Sequence, residues 1–124
     1  MHNILNNLNT IENTLKDKVS KLPNIIAVTK TFPISEITPL INSGHIHFGE
    51  NKVQEAMEKW IDIKNDFGHI KLHMIGRLQS NKVKFVVPLF DYIHSLDNLK
   101  LAEKISKEEI KFKKKIQIFI QINI

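Results

Sequence analysis

Five short apolar runs, each preceded or followed by a stretch with helical spacing, constrain this chain more than any other feature. The runs are "NIIAVTK" (24–30), "HIHFGEN" (45–51), "KLHMIG" (71–76), "YIHSL" (92–96) and "KIQIFIQINI" (115–124). The first is rich in β-branched residues and apolar on both faces, which suits a strand buried in a parallel sheet. Ile4, Leu8, Ile11, Leu15 and Val19 recur at spacings of four and three and predict an opening helix within residues 1–22. "ISEITPLINSG" (34–44) predicts a short helix with Ser35 as cap and Gly44 as stop, weakened by Pro39. Val53, Ala56, Met57, Trp60, Ile63 and Phe67 mark the core face of a longer helix ending at Gly68. "SNKVKFVV" (80–87) reads as a short helix stopped by Pro88, and "NLKLAEKISKEEI" (98–110) as the last helix.

Strands alternating with helices through short connections fold as right-handed parallel βα units. The expected fold is therefore α/β: a partial (βα) TIM-type barrel with five parallel strands, interleaved helices and an N-terminal helix. It forms one domain over residues 1–124, with the helix in 1–22 and the strand–helix units in 25–124. A closed eight-stranded barrel takes about 250 residues. A chain of 124 residues ending on a strand corresponds to the first half of one, or slightly more.

Composition removes several functional classes. There is no cysteine, which excludes disulfides, thiolate zinc sites and cysteine nucleophiles. The formal charge is +5, but Arg77 is the only arginine, and arginine is the usual reader of phosphates and guanine edges. The densest basic stretch, "KFKKK" (111–115), reads as a solvated helix end rather than a nucleic-acid patch. No apolar run approaches the ~18 residues needed to span a bilayer, and the N-terminus lacks the unbroken apolar segment of a signal peptide. A cytoplasmic protein without nucleic-acid or membrane partners is expected.

In βα folds ligands sit at the carboxyl ends of the strands. Those ends carry Thr29 and Lys30, Gly49 to Asn51, Gly76 and Arg77, Ser95, and Asn123. Lys30 is the only cation directly ending an all-apolar strand. With its stem packed and its amine facing the cavity, burial would disfavour the ammonium and leave a free amine able to attack a carbonyl. On spacing alone, a solvated lysine at a strand end remains the simpler reading. Glu50 is an acid or base candidate, with ion pairing to Lys52 as the simpler assignment. His45, His47, His73 and His94 suggest a metal set, but His45 and His47 share a face at spacing two, the others lie on separate strands, and no Asp or Glu repeats beside them, so mostly half-buried strand residues are expected and no metal. Trp60 and Met57 read as core; Lys52, Lys82 and Lys84 read as solvent-facing. "MIGRLQSNKVK" (74–84) has a glycine and lysine at near phosphate-loop spacing, yet Asn81 and Val83 stand where such a loop needs Gly and Ser or Thr.

Five blocks, "AVTKTFP" (27–33), "HFGENKVQEA" (47–56), "HMIGRLQSNK" (73–82), "HSLDN" (94–98) and "FIQINI" (119–124), occur in order. Together they resemble the pyridoxal phosphate homeostasis protein family, whose members look like the N-terminal barrel of alanine racemase without its second domain. The resemblance implies that Lys30 holds pyridoxal 5′-phosphate as a Schiff base, without substrate turnover, and that Asn51, Gly76, Ser95 and Asn123 lie around the ring. It also accounts for "IGRLQSNK" as the family's third strand and following loop. Lys52 and Leu72 stand where the family often has aromatic residues. The family's later Ser-Met-Gly-Met-Ser and Arg-Ile-Gly segments, which hold the cofactor phosphate, are not among these residues, and the expectation is of a truncated half-barrel, a monomer or one that needs a complementary piece. An N-terminal fragment of a racemase- or decarboxylase-type enzyme, or a remnant with weak or no cofactor binding, are the alternatives.

Overall fold

The computed structural model describes residues 4–124. It contains five strands, β1 (Ala27–Val28), β2 (His47–Glu50), β3 (Lys71–Met74), β4 (Tyr92–Leu96) and β5 (Gln117–Ile120), and five helices, α1 (Ile4–Lys16), α2 (Ile34–Asn42), α3 (Val53–Asp66), α4 (Val83–Leu89) and α5 (Leu99–Phe112). The strands form one parallel sheet in the order β1-β2-β3-β4-β5. Each neighbour in sequence is the neighbour in space, the arrangement of consecutive βα units in a barrel wall, so the α/β partial-barrel expectation holds.

Strand pleating sorts the residues onto two faces. Phe48, Leu72, Met74 and Ile93 are fully buried and join Ile37, Leu40, Ala56, Trp60, Val86, Val87, Leu101 and Ile105 from the helices in a single core. The Phe48 and Trp60 rings lie 5.0 Å apart, locking β2 to α3. The alternate residues, His47, His73, Tyr92 and His94, belong to the opposite face. α1 flanks the free edge of β1 and leaves a groove of about 480 Å³ lined by Leu8, Ile11, Ile25, Val28 and Phe32 among others.

Several boundaries depart from the sequence expectations. The opening helix ends at Lys16, short of Val19, and residues 1–3 lie outside the described residues. Ser35 is not the cap of α2: Pro33 holds that position, and Ser35 is inside the first turn. A proline near a helix N-terminus needs no hydrogen-bond donor, which explains the substitution. Pro39 and Pro88 both sit within helices. Each is the sixth residue of its helix, so only a single backbone bond is forfeited. Gly44 does end the α2 region, at φ +90°, a conformation that glycine adopts without steric cost. Ser80–Lys82 form a separate 3-10 turn ahead of α4. α5 is capped by the Asn98 side chain, which accepts from the Leu101 N–H at 2.8 Å. The first and fifth strands are shorter than predicted, and residues 121–124 continue without regular structure beyond one ladder bond from the Gln121 N–H to the Leu96 carbonyl.

Candidate functional site

The carboxyl ends of β1 to β4 bring together most of the residues singled out in the sequence. Lys30 lies in the turn that follows β1, and it is exposed. The packed stem and sheltered amine expected for it are therefore not found, because β1 is only two residues long and the chain turns away directly after Thr29. The faces at the end of β1 can be assigned from its neighbours. A Cβ at Gly49 would lie 3.1 Å from Ile26 and 3.2 Å from Ile75, so Ile26 is on the face opposite the helices. Val28 pairs with Gly49 on that same face, whereas Thr29 is buried towards the helices and bonds Glu50. Lys30 follows in the turn, beyond the reach of that alternation. No ion pair engages it among the described residues.

Asn51, Gly76 and Ser95 converge on one another. A Cβ at Gly76 would stand 2.6 Å from the Asn51 Cβ and 2.7 Å from its carbonyl oxygen, so only glycine allows the two loop backbones to cross this closely. The Ser95 hydroxyl donates to the Gly76 carbonyl at 2.7 Å and is thereby spent as a strut between the ends of β3 and β4. Asn123 is exposed beyond β5, and its one side-chain bond, 3.4 Å, is from Gln121.

Glu50 is fully buried and ion-paired, but with Lys59 at 2.8 Å rather than with Lys52. The helical register explains the change: Lys52 precedes α3 and is exposed, while Lys59 lies two turns into it. The same carboxylate oxygen accepts from the Thr29 hydroxyl at 2.6 Å and from the Trp60 indole at 3.1 Å, whereas Oε1 has no protein partner. Lys59 also donates to the carbonyls of Thr29 and Phe32, at 2.7 and 2.8 Å. Glu55 accepts from the Thr31 N–H at 2.6 Å, and that bond, with smaller help from Lys59, holds its carboxyl below the usual range. Sequence reasoning missed both Lys59 and Glu55. Their spacing of four on one helix signals an ion pair but not the loop they would grip.

His47, His73 and His94 are half-buried or buried strand residues, as expected, whereas His45 precedes β2; the three strand histidines also form an unforeseen ladder. His47 Nδ1 lies 2.9 Å from His73 Nε2, and His73 Nδ1 lies 2.8 Å from His94 Nε2. Tyr92 stacks on His73 with ring centroids 4.1 Å apart, and Phe119 stacks on His94 at 4.6 Å. Burial, with the neighbouring His94 and His47, lowers the His73 pKa to about 4. Burial is also the leading cause of the lowered values of His47 and His94. Neutral imidazoles each donate once and accept once, so the ladder satisfies itself. Among the described residues no His, Asp or Glu group is arranged to hold a metal ion.

At the opposite end of the sheet, Lys64 bonds the Leu89 carbonyl and pairs with Asp91 at 2.6 Å, and Asp91 accepts from the Leu72 N–H. Lys114 donates to the Phe90 carbonyl at 2.7 Å, and burial lowers its pKa. One lysine of the basic stretch is thus a structural tie rather than a solvated charge. No helix among the described residues is long and apolar enough to cross a membrane.

No protein-family model matches the chain. Over 98% of its length it is 35% identical to the pyridoxal phosphate homeostasis protein of Haemophilus influenzae, covering 54% of that relative. The protein of the same name from Synechocystis is 41% identical over 81% of this chain and 45% of its own length. Among solved structures, PipY of Synechococcus elongatus with PLP bound matches with a TM-score of 0.77 and 34% identity, covering 92% of this chain and 55% of PipY. An unknown protein from Bifidobacterium adolescentis matches with a TM-score of 0.78 and 29% identity, covering 91% of this chain and 51% of that one. The chain spans about half the length of these relatives. In sequence the chain is similar to about half of a pyridoxal phosphate homeostasis protein, and in fold to about half of PipY.

Proposed function

We propose that this chain binds pyridoxal 5′-phosphate, with Lys30 as its Schiff-base lysine, and serves cofactor homeostasis in the cytoplasm by holding the cofactor without turning over a substrate. The observation that carries the reading is the placement of Lys30: an exposed lysine, without an ion pair among the described residues, in the turn at the carboxyl end of β1. When bound, pyridoxal phosphate supplies an electrophilic aldehyde, and a primary amine is what such a group requires. The amine end of the site fits the cofactor.

The remaining residues would act by framing. Asn51, Gly76 and Ser95 fix the heights of the β2, β3 and β4 loops relative to one another, so a planar ring beside Lys30 meets a rigid rim. Asn123 is assigned to the ring by family resemblance. The histidine ladder lies on the sheet face opposite the helices, and its lowered pKa values keep it neutral near pH 7, so it adds no positive charge that would compete for the phosphate.

Titration with pyridoxal phosphate, reduction with borohydride and peptide mapping test the reading. Label should concentrate on the Lys30 peptide and disappear from the map in Lys30→Ala. Even labelling over many lysines, unchanged by that substitution, would refute it.

A further inference from the structure

We propose that Lys59, acting with Glu55 and Glu50, is a positioning residue that clamps the turn carrying Lys30. This rests on the reading of Lys30 as the attachment lysine. The backbone on both sides of Lys30 is tied to α3: Lys59 Nζ takes the carbonyl just before it, Thr29, and the carbonyl two residues after it, Phe32. Glu55 takes the N–H just after it, Thr31. Lys59 joins the two grips by pairing with Glu55 at 3.2 Å, and Glu50 anchors Lys59 from beneath at 2.8 Å.

The turn needs holding. Thr31 adopts φ +68°, a true outlier for a β-branched residue. Such conformations persist only where the surroundings over-determine them. A Thr29–Phe32 hydrogen bond at 3.1 Å closes the turn, but it constrains neither the Thr31 N–H nor the turn's tilt relative to β2.

Packing alone does not require this network. α3 already buries Ala56 and Trp60, whereas a buried carboxylate and ammonium are costly to desolvate, and Glu50 leaves Oε1 without a protein partner. Such a network sets one loop geometry, and the residue whose geometry it sets is Lys30. An amine adding to an aldehyde gains from a fixed approach, so loosening the turn should reduce capture without unfolding the sheet.

The test compares the wild-type chain with Lys59→Met, Lys59→Arg and Glu55→Gln. Amide hydrogen exchange at Thr31 and Phe32 reads the clamp, and exchange at Leu72 and Ile93 reads the core. Competitive acylation by limiting acetic anhydride across pH reads the Lys30 amine, and borohydride trapping at subsaturating pyridoxal phosphate reads cofactor capture. Lys59→Met should speed Thr31 exchange about tenfold with core amides unchanged. It should also shift the Lys30 acylation profile and lower trapping at Lys30 about fivefold. Glu55→Gln should do the same to a smaller degree, on a side chain 28% exposed and outside the core, and Lys59→Arg should restore part of the effect. Unchanged Thr31 exchange in both Lys59→Met and Glu55→Gln overturns the clamp, as does an unchanged Lys30 acylation profile once the turn has loosened. Absence of any Lys30 adduct in the wild-type chain would defeat the cofactor reading, whereas the exchange and acylation comparisons still decide for or against the clamp.

Discussion

The two faces of the sheet are built from the same strands and obey different rules. On the helix side, Phe48, Leu72, Met74 and Ile93 are completely buried, and shape complementarity with Trp60, Val86, Val87 and Leu101 holds them. On the other side the intervening residues are His47, His73, Tyr92 and His94, which stack and hydrogen-bond sideways across the strands. The apolar face specifies the fold, while the polar face satisfies itself laterally and leaves the carboxyl end free for a ligand. Lateral bonding solves a physical problem: a buried polar group is costly unless paired, and the two neighbouring strands give the most buried imidazole, His73, a partner on each side.

The largest expected break is on the helix side. Trp60→Ala removes a fully buried ring that packs on Phe48 and donates to Glu50. A loss of about 3–5 kcal/mol is expected, read as a fall in the urea midpoint without change in slope. A loss under about 1 kcal/mol would show that the core collapses around the gap and that the Glu50 anchor is not needed.

The polar face should instead reveal itself in pH. His73 has a folded pKa of about 4 and an ordinary unfolded value of 6.5. Between these values the unfolded chain binds the proton that the folded chain refuses, so stability falls as pH drops through this window and the loss is complete below the folded value. The contribution of this one site is up to roughly 3 kcal/mol. The groups facing the ladder are His45, Lys71 and Asp91, and Asp91 works in the opposite sense to the other two. Acid also releases Glu55, whose lowered pKa adds stability that is present above its unfolded value and lost as pH falls through the folded one. Comparing urea midpoints of wild type and His73→Phe from pH 7 to 4 separates the terms. The variant should show the shallower decline, and parallel curves would remove the ladder from the account.

The contrast between the faces also explains what was legible in the sequence. Strand and helix types followed from periodicity because the apolar face writes itself as Phe48, Leu72, Ile93 and their helical partners. Gly44 was legible because its left-handed conformation has a chemical signature. The histidine ladder was not, since bonding between His47, His73 and His94 depends on the register of three strands distant in sequence. Ser95 was selected at the correct strand end, but only coordinates show its hydroxyl committed to Gly76. The surroundings of Lys30 were not legible for a similar reason: an apolar run of four residues, Ile25 to Val28, yields a two-residue strand, and where the amine lies depends on where the pairing stops. Lys59 was hidden because a helical lysine has no local mark of the loop it will hold.

Two glycine substitutions sharpen the comparison at its smallest scale. At Gly76 a new Cβ would meet Asn51 at 2.6 to 2.9 Å, including its Cα and carbonyl oxygen, and a backbone crossing cannot yield without moving β2's loop. Gly76→Ala should therefore cost about 1–3 kcal/mol and disturb the crossing of the β2 and β3 loops. At Gly49, on the open face, the same Cβ would meet only side-chain methyls of Ile26 and Ile75 at 3.1 and 3.2 Å. The Ile75 Cδ1 tip can rotate away and the Ile26 methyl need yield only slightly, so Gly49→Ala should cost less than about 1 kcal/mol. Urea midpoints of the two variants, measured side by side, decide the point. Equal losses would mean that the open face is packed as rigidly as the rim, and the division between a face that bears the fold and a face available to a ligand would no longer stand.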